Sequence, residues 1–97
     1  MTTLSTLKNH RLEILKLSKH HKAANIRVFG SSALESETNN SDIDLLVDWE
    51  DGASLVDWVA LKEELETLLE RDVDLVSSGS LHWYVRDRIL SDAIPLP

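Results

Sequence analysis

The chain has 97 residues, 42% of them hydrophobic, and its 10 Lys and Arg against 17 Asp and Glu give a net charge of -7. This length is sufficient for one hydrophobic core, so we expect a single domain over residues 1–97. The absence of a Lys/Arg cluster disfavours general nucleic-acid binding, and the absence of cysteine excludes disulfides and thiolate metal sites.

The first predicted element is a helix of about five turns. Apolar residues at helical spacing extend from Leu4 to about Lys22 and form one stripe. His20, His21 and Asn25 mark the end of this helix. Because adjacent residues on a helix do not face each other, the two histidines are a poor metal site.

The first predicted strand leads directly into a polar segment. The apolar run Ile26–Phe29 predicts the strand, and residues 30–44 then open with Gly-Ser and end in two aspartates. Gly30 permits close approach of the backbone, Ser31 adds a hydroxyl, and a short helix beginning near Ser32 would direct its free N–H groups at a phosphate. The opening of the segment therefore indicates a phosphate site, although Gly-Ser before a polar loop is also typical of a simple turn.

Asp42 and Asp44 lie in the second predicted strand, which extends from Ser41 to about Trp49. Side chains at i and i+2 of a strand share a face, so the two carboxylates project together. Neighbouring carboxylates repel unless a cation offsets their charge, and Mg²⁺ binds one or two protein carboxylates together with water and substrate phosphates. The pair predicts a metal site, with solvated residues at the mouth of a strand as the alternative. The apolar run that follows predicts a central strand, covered on both faces.

The second strand is followed by the most regular helix of the sequence. We interpret Asp48 and the acidic residues after Trp49 as a solvated strand end and turn. Ser54, with Asp57 three residues later, predicts a capping box for a helix that ends at about Glu70. The expected buried face consists of Leu55, Trp58, Val59, Leu61, Leu65, Leu68 and Leu69.

A third strand is predicted at Val73–Val76, and Asp74 is the only charged residue within it. If this strand lies beside the second, Asp74 could direct a third carboxylate at the same cation. A third carboxylate can ligate a second metal ion or accept the proton of a nucleophile. From the sequence alone, an edge-strand aspartate that faces water is an equal alternative.

A final helix is predicted from about Leu81 to Ser91. Its expected anchors are Tyr84, Val85, Ile89 and Leu90, and Trp83 is more typical of a core or an interface than of a ligand platform. No signal-peptide pattern opens the chain and no apolar run has the length of a membrane span, so we expect a soluble cytoplasmic protein.

The order of these features is more specific than any one of them. A strand, Gly-Ser, ten residues, Asp-x-Asp and a hydrophobic run resemble the nucleotidyltransferase superfamily that includes DNA polymerase beta. Gly30, Ser31, Asp42 and Asp44 match its signature without a gap. The short length and the segment Ser41–Val47 are most similar to the minimal nucleotidyltransferases, the MntA-type antitoxins paired with HEPN-domain toxins. This resemblance implies an α/β fold with a small mixed sheet backed by helices, in the order α-β-α-β-α-β-α.

The resemblance also implies MgATP as the donor of an AMP group. It assigns Mg²⁺ binding and catalysis to Asp42, Asp44 and Asp74, and nucleotide binding to Gly30, Ser31 and Ser41. In MntA-type pairs AMP passes to a tyrosine hydroxyl of the HEPN toxin, which is an RNase, and this modification inactivates the toxin. The expected partner is therefore a HEPN toxin in a hetero-oligomer, an association that an acidic surface would favour if the partner is basic.

The sequence departs from the family at three positions. Many relatives carry an Ala-Arg-Gly segment after the Gly-Ser and another Arg before the Asp-x-Asp, whereas this chain has Leu34, Glu35 and Thr38 at those positions. Loss of the guanidinium groups removes charge-assisted contacts to a triphosphate, and Glu35 adds repulsion. Two alternatives stay open: an antitoxin that neutralises its partner by binding alone, and a small-molecule nucleotidyltransferase.

Overall fold

The computed structural model describes residues 3–33 and 42–97 of the chain. The elements are helix α1 (Thr3–Asn9), helix α2 (Arg11–His20), strand β1 (Ala23–Val28), strand β2 (Ile43–Trp49), helix α3 (Leu55–Leu69), strand β3 (Val73–Ser77), helix α4 (Trp83–Asp92) and strand β4 (Ile94–Pro95). Short 3-10 turns follow β1 at Gly30–Ala33 and β3 at Ser78–Ser80. Within the described ranges no helix is both long enough and apolar enough to cross a membrane.

The four strands form one mixed sheet in the order β3-β2-β1-β4. Strands β2 and β3 are parallel, whereas β1 is antiparallel to both β2 and β4. The predicted α/β fold with a small mixed sheet backed by helices is therefore confirmed. Leu45, Leu46 and Val47 are fully buried, so β2 is covered on both faces, as its apolar run predicts.

One core cluster joins the sheet to the helices. Its fully buried members from β2 and α3 are Ile43, Leu45, Val47, Leu61 and Leu65. Leu7 of α1 and Ile14 of α2 complete it from the N-terminal side. Each such side chain contributes roughly 1.5–3 kcal/mol relative to an exposed one. The cluster fixes one face of β2 against the helices and leaves the alternate residues of the strand on the opposite face.

The predicted helix from Leu4 to Lys22 is wrong as a single element, because it is divided at His10. This residue has φ -108° and ψ 15°, and its backbone N–H is 3.2 Å from the carbonyl oxygens of both Thr6 and Leu7. Asparagine and histidine, which meet at this point, are weak helix formers. The bend divides the segment into two helices that each contribute one fully buried residue to the core.

Strand β1 begins three residues earlier than predicted, and Asn25 lies within it. Asn25 has φ 51°, and the pairing of β1 with β2 shifts between Ala24 and Arg27. The Asn25 amide donates to the Asp48 carboxylate at 2.8 Å. Pairing with the distant strand β2 extends β1 here, and no local pattern in the sequence indicates it.

The capping box of α3 is confirmed, since Asp57 accepts from the Ser54 backbone N–H at 3.0 Å. Its predicted buried face is wrong in part, because Leu55 is 76% exposed and Val59 40% exposed. A residue two positions before Leu61 points to nearly the opposite side of the helix, and Leu55 lies one turn before Val59. The buried stripe therefore follows Leu61, Leu65 and Leu69.

Helix α4 and strand β4 also differ from the sequence prediction. No residue of α4 is buried, and Tyr84 and Trp83 are 66% and 85% exposed, so neither belongs to the core. The segment Ile94–Pro95 forms a fourth strand that pairs with β1. Proline argues against a central strand but is tolerated on an edge, where its missing N–H would face away from the sheet.

Candidate active site

Gly30 lies directly against the carboxylate of Asp44. The glycine has φ 62°, and a Cβ added there would be 2.6 Å from Asp44 Oδ2, closer than van der Waals contact allows. The Phe29 N–H donates to the Asp44 carbonyl oxygen at 3.1 Å, which carries the chain from β1 to this position. Both the backbone angle and the space therefore require glycine beside this aspartate.

Ser32 joins the turn after β1 to the backbone of the Asp-x-Asp motif. Its side chain is fully buried. The hydroxyl accepts from the Asp44 backbone N–H at 2.9 Å and donates to the Asp42 carbonyl oxygen at 3.1 Å. The sequence predicts nucleotide-binding roles for Ser31 and Ser41 but no role for the Ser32 hydroxyl. The only signal available was a small polar residue within a turn, which does not reveal a contact 12 positions away.

Asp44 and Asp74 are opposite each other on the parallel strands β2 and β3. Neighbouring strands are about 4.8 Å apart, and residues in register point to the same face, so the two carboxylates start from adjacent positions. Asp42 immediately precedes β2, which begins at Ile43. Asp42 and Asp74 are exposed and Asp44 is half-buried. The topology therefore places three aspartates at one end of the parallel strand pair.

A lysine near the third aspartate was not identified from the sequence. Lys62 Nζ is 3.0 Å from Glu66 Oε2, and Glu66 accepts from the Val73 N–H at 2.9 Å. The hydrogen bond to Glu66 raises the pKa of Lys62, and the charges of Glu66, Asp72 and Asp74 raise it further, against partial desolvation. The spacing of Lys62 and Glu66 by four residues predicts their pairing, but not that Lys62 is close enough to Asp74 for the two charges to interact.

Residues 13–96 match the family described as polymerase beta nucleotidyltransferase. The chain belongs to this family. The matched range contains Gly30, both aspartates of the Asp-x-Asp motif and Asp74. Family membership and the polymerase-beta-like fold are thus confirmed.

Three proteins of known name or structure are similar to this nucleotidyltransferase over most of its length. It is 36% identical over 90 residues to protein adenylyltransferase MntA of Thermococcus cleftensis, a match that covers 93% of this chain and 88% of that protein. A solved minimal nucleotidyltransferase superposes with a TM-score of 0.88 at 44% identity, over 99% of this chain and 97% of that one. The MNT antitoxin complex with a tri-AMPylated HEPN toxin from Shewanella oneidensis gives a TM-score of 0.68 at 25% identity, over 94% of this chain and 71% of the other.

The carboxylates of this nucleotidyltransferase fit a hard divalent cation. Carboxylate oxygens are the protein ligands that Mg²⁺ prefers, and the Asp44 carboxylate lies directly against the backbone of Gly30. Within residues 3–33 and 42–97, no three His, Cys, Asp or Glu side chains are gathered as a complete metal site. A cation held by one or two of these carboxylates would complete its coordination with water and substrate phosphates.

Asp48 lies near the end of β2 with its side chain 37% exposed, as a solvated strand end predicts, but it is also held in a hydrogen-bonded network. Arg27 Nη2 is 2.8 Å from Asp48 Oδ1, the Asn25 amide is 2.8 Å from Oδ2, and the Ser78 hydroxyl also donates to Oδ1. Because these donors come from β1 and from the turn after β3, only the tertiary structure assembles them around β2. Asp48, at the centre of this network, is two residues beyond Leu46 and four residues beyond Asp44 along β2.

Some predicted residues of the nucleotidyltransferase site are outside the described part of the chain. These are Ser41 and the family-divergent positions Leu34, Glu35 and Thr38. Of Ser31 only the backbone is described, within the turn Gly30–Ala33. The nucleotide-binding roles of Gly30, Ser31 and Ser41 stay predictions.

Proposed function

We propose that this nucleotidyltransferase is an antitoxin that transfers AMP from MgATP to a tyrosine hydroxyl of a HEPN toxin and so inactivates it. The observation that carries the proposal is the register of Asp44 and Asp74 on adjacent parallel strands, beside the close approach of Gly30. This arrangement brings carboxylates for a cation and the backbone of the Gly30 turn, which would bind a phosphate, into one place. The likenesses to MntA and to the AMPylated toxin complex support the choice of acceptor.

In the proposed reaction the tyrosine oxygen bonds to the α-phosphorus of ATP, and the bond from that phosphorus to the bridging oxygen of pyrophosphate breaks. The tyrosine proton passes to the carboxylate of Asp74. Asp42 and Asp44 would hold Mg²⁺, which when bound neutralises phosphate charge. Gly30, with Ser31 and Ser41, would bind the phosphates of the nucleotide.

Ser32 has a positioning role in this scheme. Its hydroxyl fixes the turn that contains Gly30 to the backbone on both sides of Ile43. The phosphate-binding turn and the metal-binding carboxylates are thereby held together before a nucleotide arrives, which reduces the reorganisation that catalysis requires.

An antitoxin that acts by binding alone is the second candidate. It is favoured by Leu34, Glu35 and Thr38, which stand where many relatives have residues of the arginine-containing motif. This candidate predicts that Asp42→Asn protects cells from the toxin as well as the original chain does. Transfer of AMP to the toxin predicts that the same substitution abolishes protection.

Intact mass of the partner tests the proposal directly. A HEPN toxin that forms a complex with the chain is incubated with it, ATP and Mg²⁺, and the reaction is repeated with Asp42→Asn and with a chelator. We expect the mass to rise by whole adenylyl groups only with the original chain and the metal. An unchanged mass, with a stable complex formed by both versions, would refute the transfer and favour neutralisation by binding.

A further inference from the structure

The first turns of α3 present an apolar strip to solvent. Leu55 and Val56 are 76% and 75% exposed, and Val59 is 40% exposed. Leu55 and Val59 are four residues apart and therefore lie one above the other on the helix. Together with Ala60 and Glu63, the three apolar side chains line a shallow hollow of about 420 Å³.

The strip continues into a groove between α3 and the ends of β2 and β3. This groove has a volume of about 580 Å³ and is lined by Leu55, Trp58, Trp49 and Leu75, with serine hydroxyls among them. Leu55 lines both the groove and the shallow hollow, so the two form one surface. We call this surface, comprising Leu55, Val56, Val59 and the groove between Trp49 and Trp58, the α3 surface.

Both indole N–H groups of the groove are already satisfied inside the protein. Trp49 Nε1 donates to Ser77 Oγ at 2.6 Å, and Trp58 Nε1 donates to the Leu75 carbonyl oxygen at 2.8 Å. These bonds fix the two rings, which are both partly buried and packed against the core. The groove therefore offers preformed carbon surface to an apolar side chain at little cost in conformational entropy.

The α3 surface is separate from the aspartates of the candidate active site. Trp49 is five residues beyond Asp44 along β2, a distance of roughly 16 Å at the rise of a β-strand. A partner bound at this surface would leave Asp42, Asp44 and Asp74 accessible. Binding energy gained away from the reacting atoms can serve to orient an acceptor hydroxyl.

Charge selects the kind of partner. Glu63 lines the shallow hollow beside the strip. The other acidic residues of α3 already have partners, since Asp57 and Glu64 contact His21 and Glu66 pairs with Lys62. The chain as a whole has a net charge of -7. A second copy docked on the α3 surface would bring two acidic helices together, which like-charge repulsion disfavours. A protein that presents an apolar segment flanked by Lys or Arg would complement the strip, the Glu63 carboxylate beside it and the net negative charge of the chain.

We infer that the α3 surface docks the HEPN toxin that carries the acceptor tyrosine, through an apolar toxin segment flanked by basic residues. This inference rests on the proposed function for the identity of the partner. It assigns recognition of the toxin to the α3 surface and the chemistry to the aspartates, so the two can be disrupted independently.

Leu12 supplies a matched control for a substitution in the α3 surface. It is 77% exposed on α2, against 76% for Leu55 on α3, so glutamate at either position changes the same residue type and the same net charge. We would measure the affinity of a HEPN toxin that forms a complex with the original chain for Leu55→Glu, Leu12→Glu and Asp42→Asn by calorimetry. Thermal unfolding of each variant verifies that it is folded.

The expected result is that Leu55→Glu weakens binding about tenfold or more, whereas Leu12→Glu and Asp42→Asn bind as the original chain does. The inference would be overturned if Leu55→Glu and Leu12→Glu bound the toxin with the same affinity, whether both bound as the original chain does or both bound more weakly. It would also be overturned by a dimer of the original chain in light scattering that Leu55→Glu converts to a monomer, since the surface would then be a self-interface. If the original chain binds the toxin with this pattern but transfers no AMP, the inference stands and the transferase proposal fails. If AMP is transferred but Leu55→Glu binds the toxin as tightly as the original chain does, the transferase proposal stands and the inference about the α3 surface fails.

Discussion

Gly30 and Asp44 are so close that the space for any side chain at position 30 is already filled by the aspartate carboxylate. A Cβ at Gly30 would be 2.6 Å from Asp44 Oδ2, and the glycine occupies a left-handed conformation with φ 62°. The turn after β1 thus approaches the proposed metal-binding carboxylate with its backbone. This contact connects the two ends of the Gly-Ser and Asp-x-Asp signature in space.

Gly30→Ala should therefore displace Asp44 and abolish AMP transfer. The left-handed backbone alone would lower the free energy of unfolding by about 1–2 kcal/mol. Gly79→Ala is the control, because a Cβ at Gly79 meets nothing within 4 Å. Denaturant unfolding and the intact-mass assay are the measurements, and full transfer by Gly30→Ala would contradict the proposed closeness of the two residues.

Ser32→Ala should destabilise the turn and slow AMP transfer. The substitution removes the buried acceptor of the Asp44 N–H and the donor to the Asp42 carbonyl, and an unsatisfied buried group costs about 1–3 kcal/mol. Ser80→Ala removes an exposed hydroxyl that donates to the Ser77 carbonyl oxygen and should change the free energy of unfolding by less than about 0.5 kcal/mol. Equal changes in the free energy of urea unfolding for Ser32→Ala and Ser80→Ala would show that the buried Ser32 hydroxyl does not stabilise the turn.

Asp74→Asn should lower the rate of AMP transfer about 100-fold or more, because the amide can no longer accept the tyrosine proton. Asp72→Asn removes an exposed carboxylate two residues earlier, which lies outside the register of β2 with β3. We expect this control to retain most of the rate. Initial rates at saturating ATP and partner distinguish the two, and similar rates would remove Asp74 from the mechanism.

Asp48 should make stability sensitive to acid. The Ser78 hydroxyl and the Asn25 amide hold the pKa of Asp48 below its usual 3.8, partial desolvation opposes them, and Arg27 adds to the lowering. A lowered pKa in the folded state contributes stability above the unfolded pKa, and that contribution is lost as the pH falls through the folded value.

Asp48→Asn should therefore reduce the loss of stability as the pH falls from about 4 towards 2. Urea unfolding across this range provides the measurement, with Asp51→Asn in the exposed turn after β2 as the control. Parallel curves for Asp48→Asn and the original chain would show that the network does not favour the ionised carboxylate.

The architecture follows from patterns that are local in the sequence. Unbroken apolar residues after Asp44 predict a central strand, and Ser54 with Asp57 predicts the start of α3. Both are observed, since a buried strand and a capped helix are specified by neighbouring residues. The local pattern does not predict the break at His10, because the break depends on how α1 and α2 pack against the same core. Strand β4 was missed because its two residues have little strand character before they pair with β1.

The sequence by itself determined the family, the central position of β2 and the occurrence of Gly-Ser and Asp-x-Asp as parts of one signature. These features depend on residue order and spacing. Only the tertiary structure decided that Asp74 stands beside Asp44, that Ser32 bridges the motif and that Asp48 binds Arg27. Strand register and long-range hydrogen bonds join residues far apart in the chain, and no local periodicity encodes them. The exposure of Leu55 was decided in the same way, because a helix pattern gives the angle between residues but not which side the core will occupy.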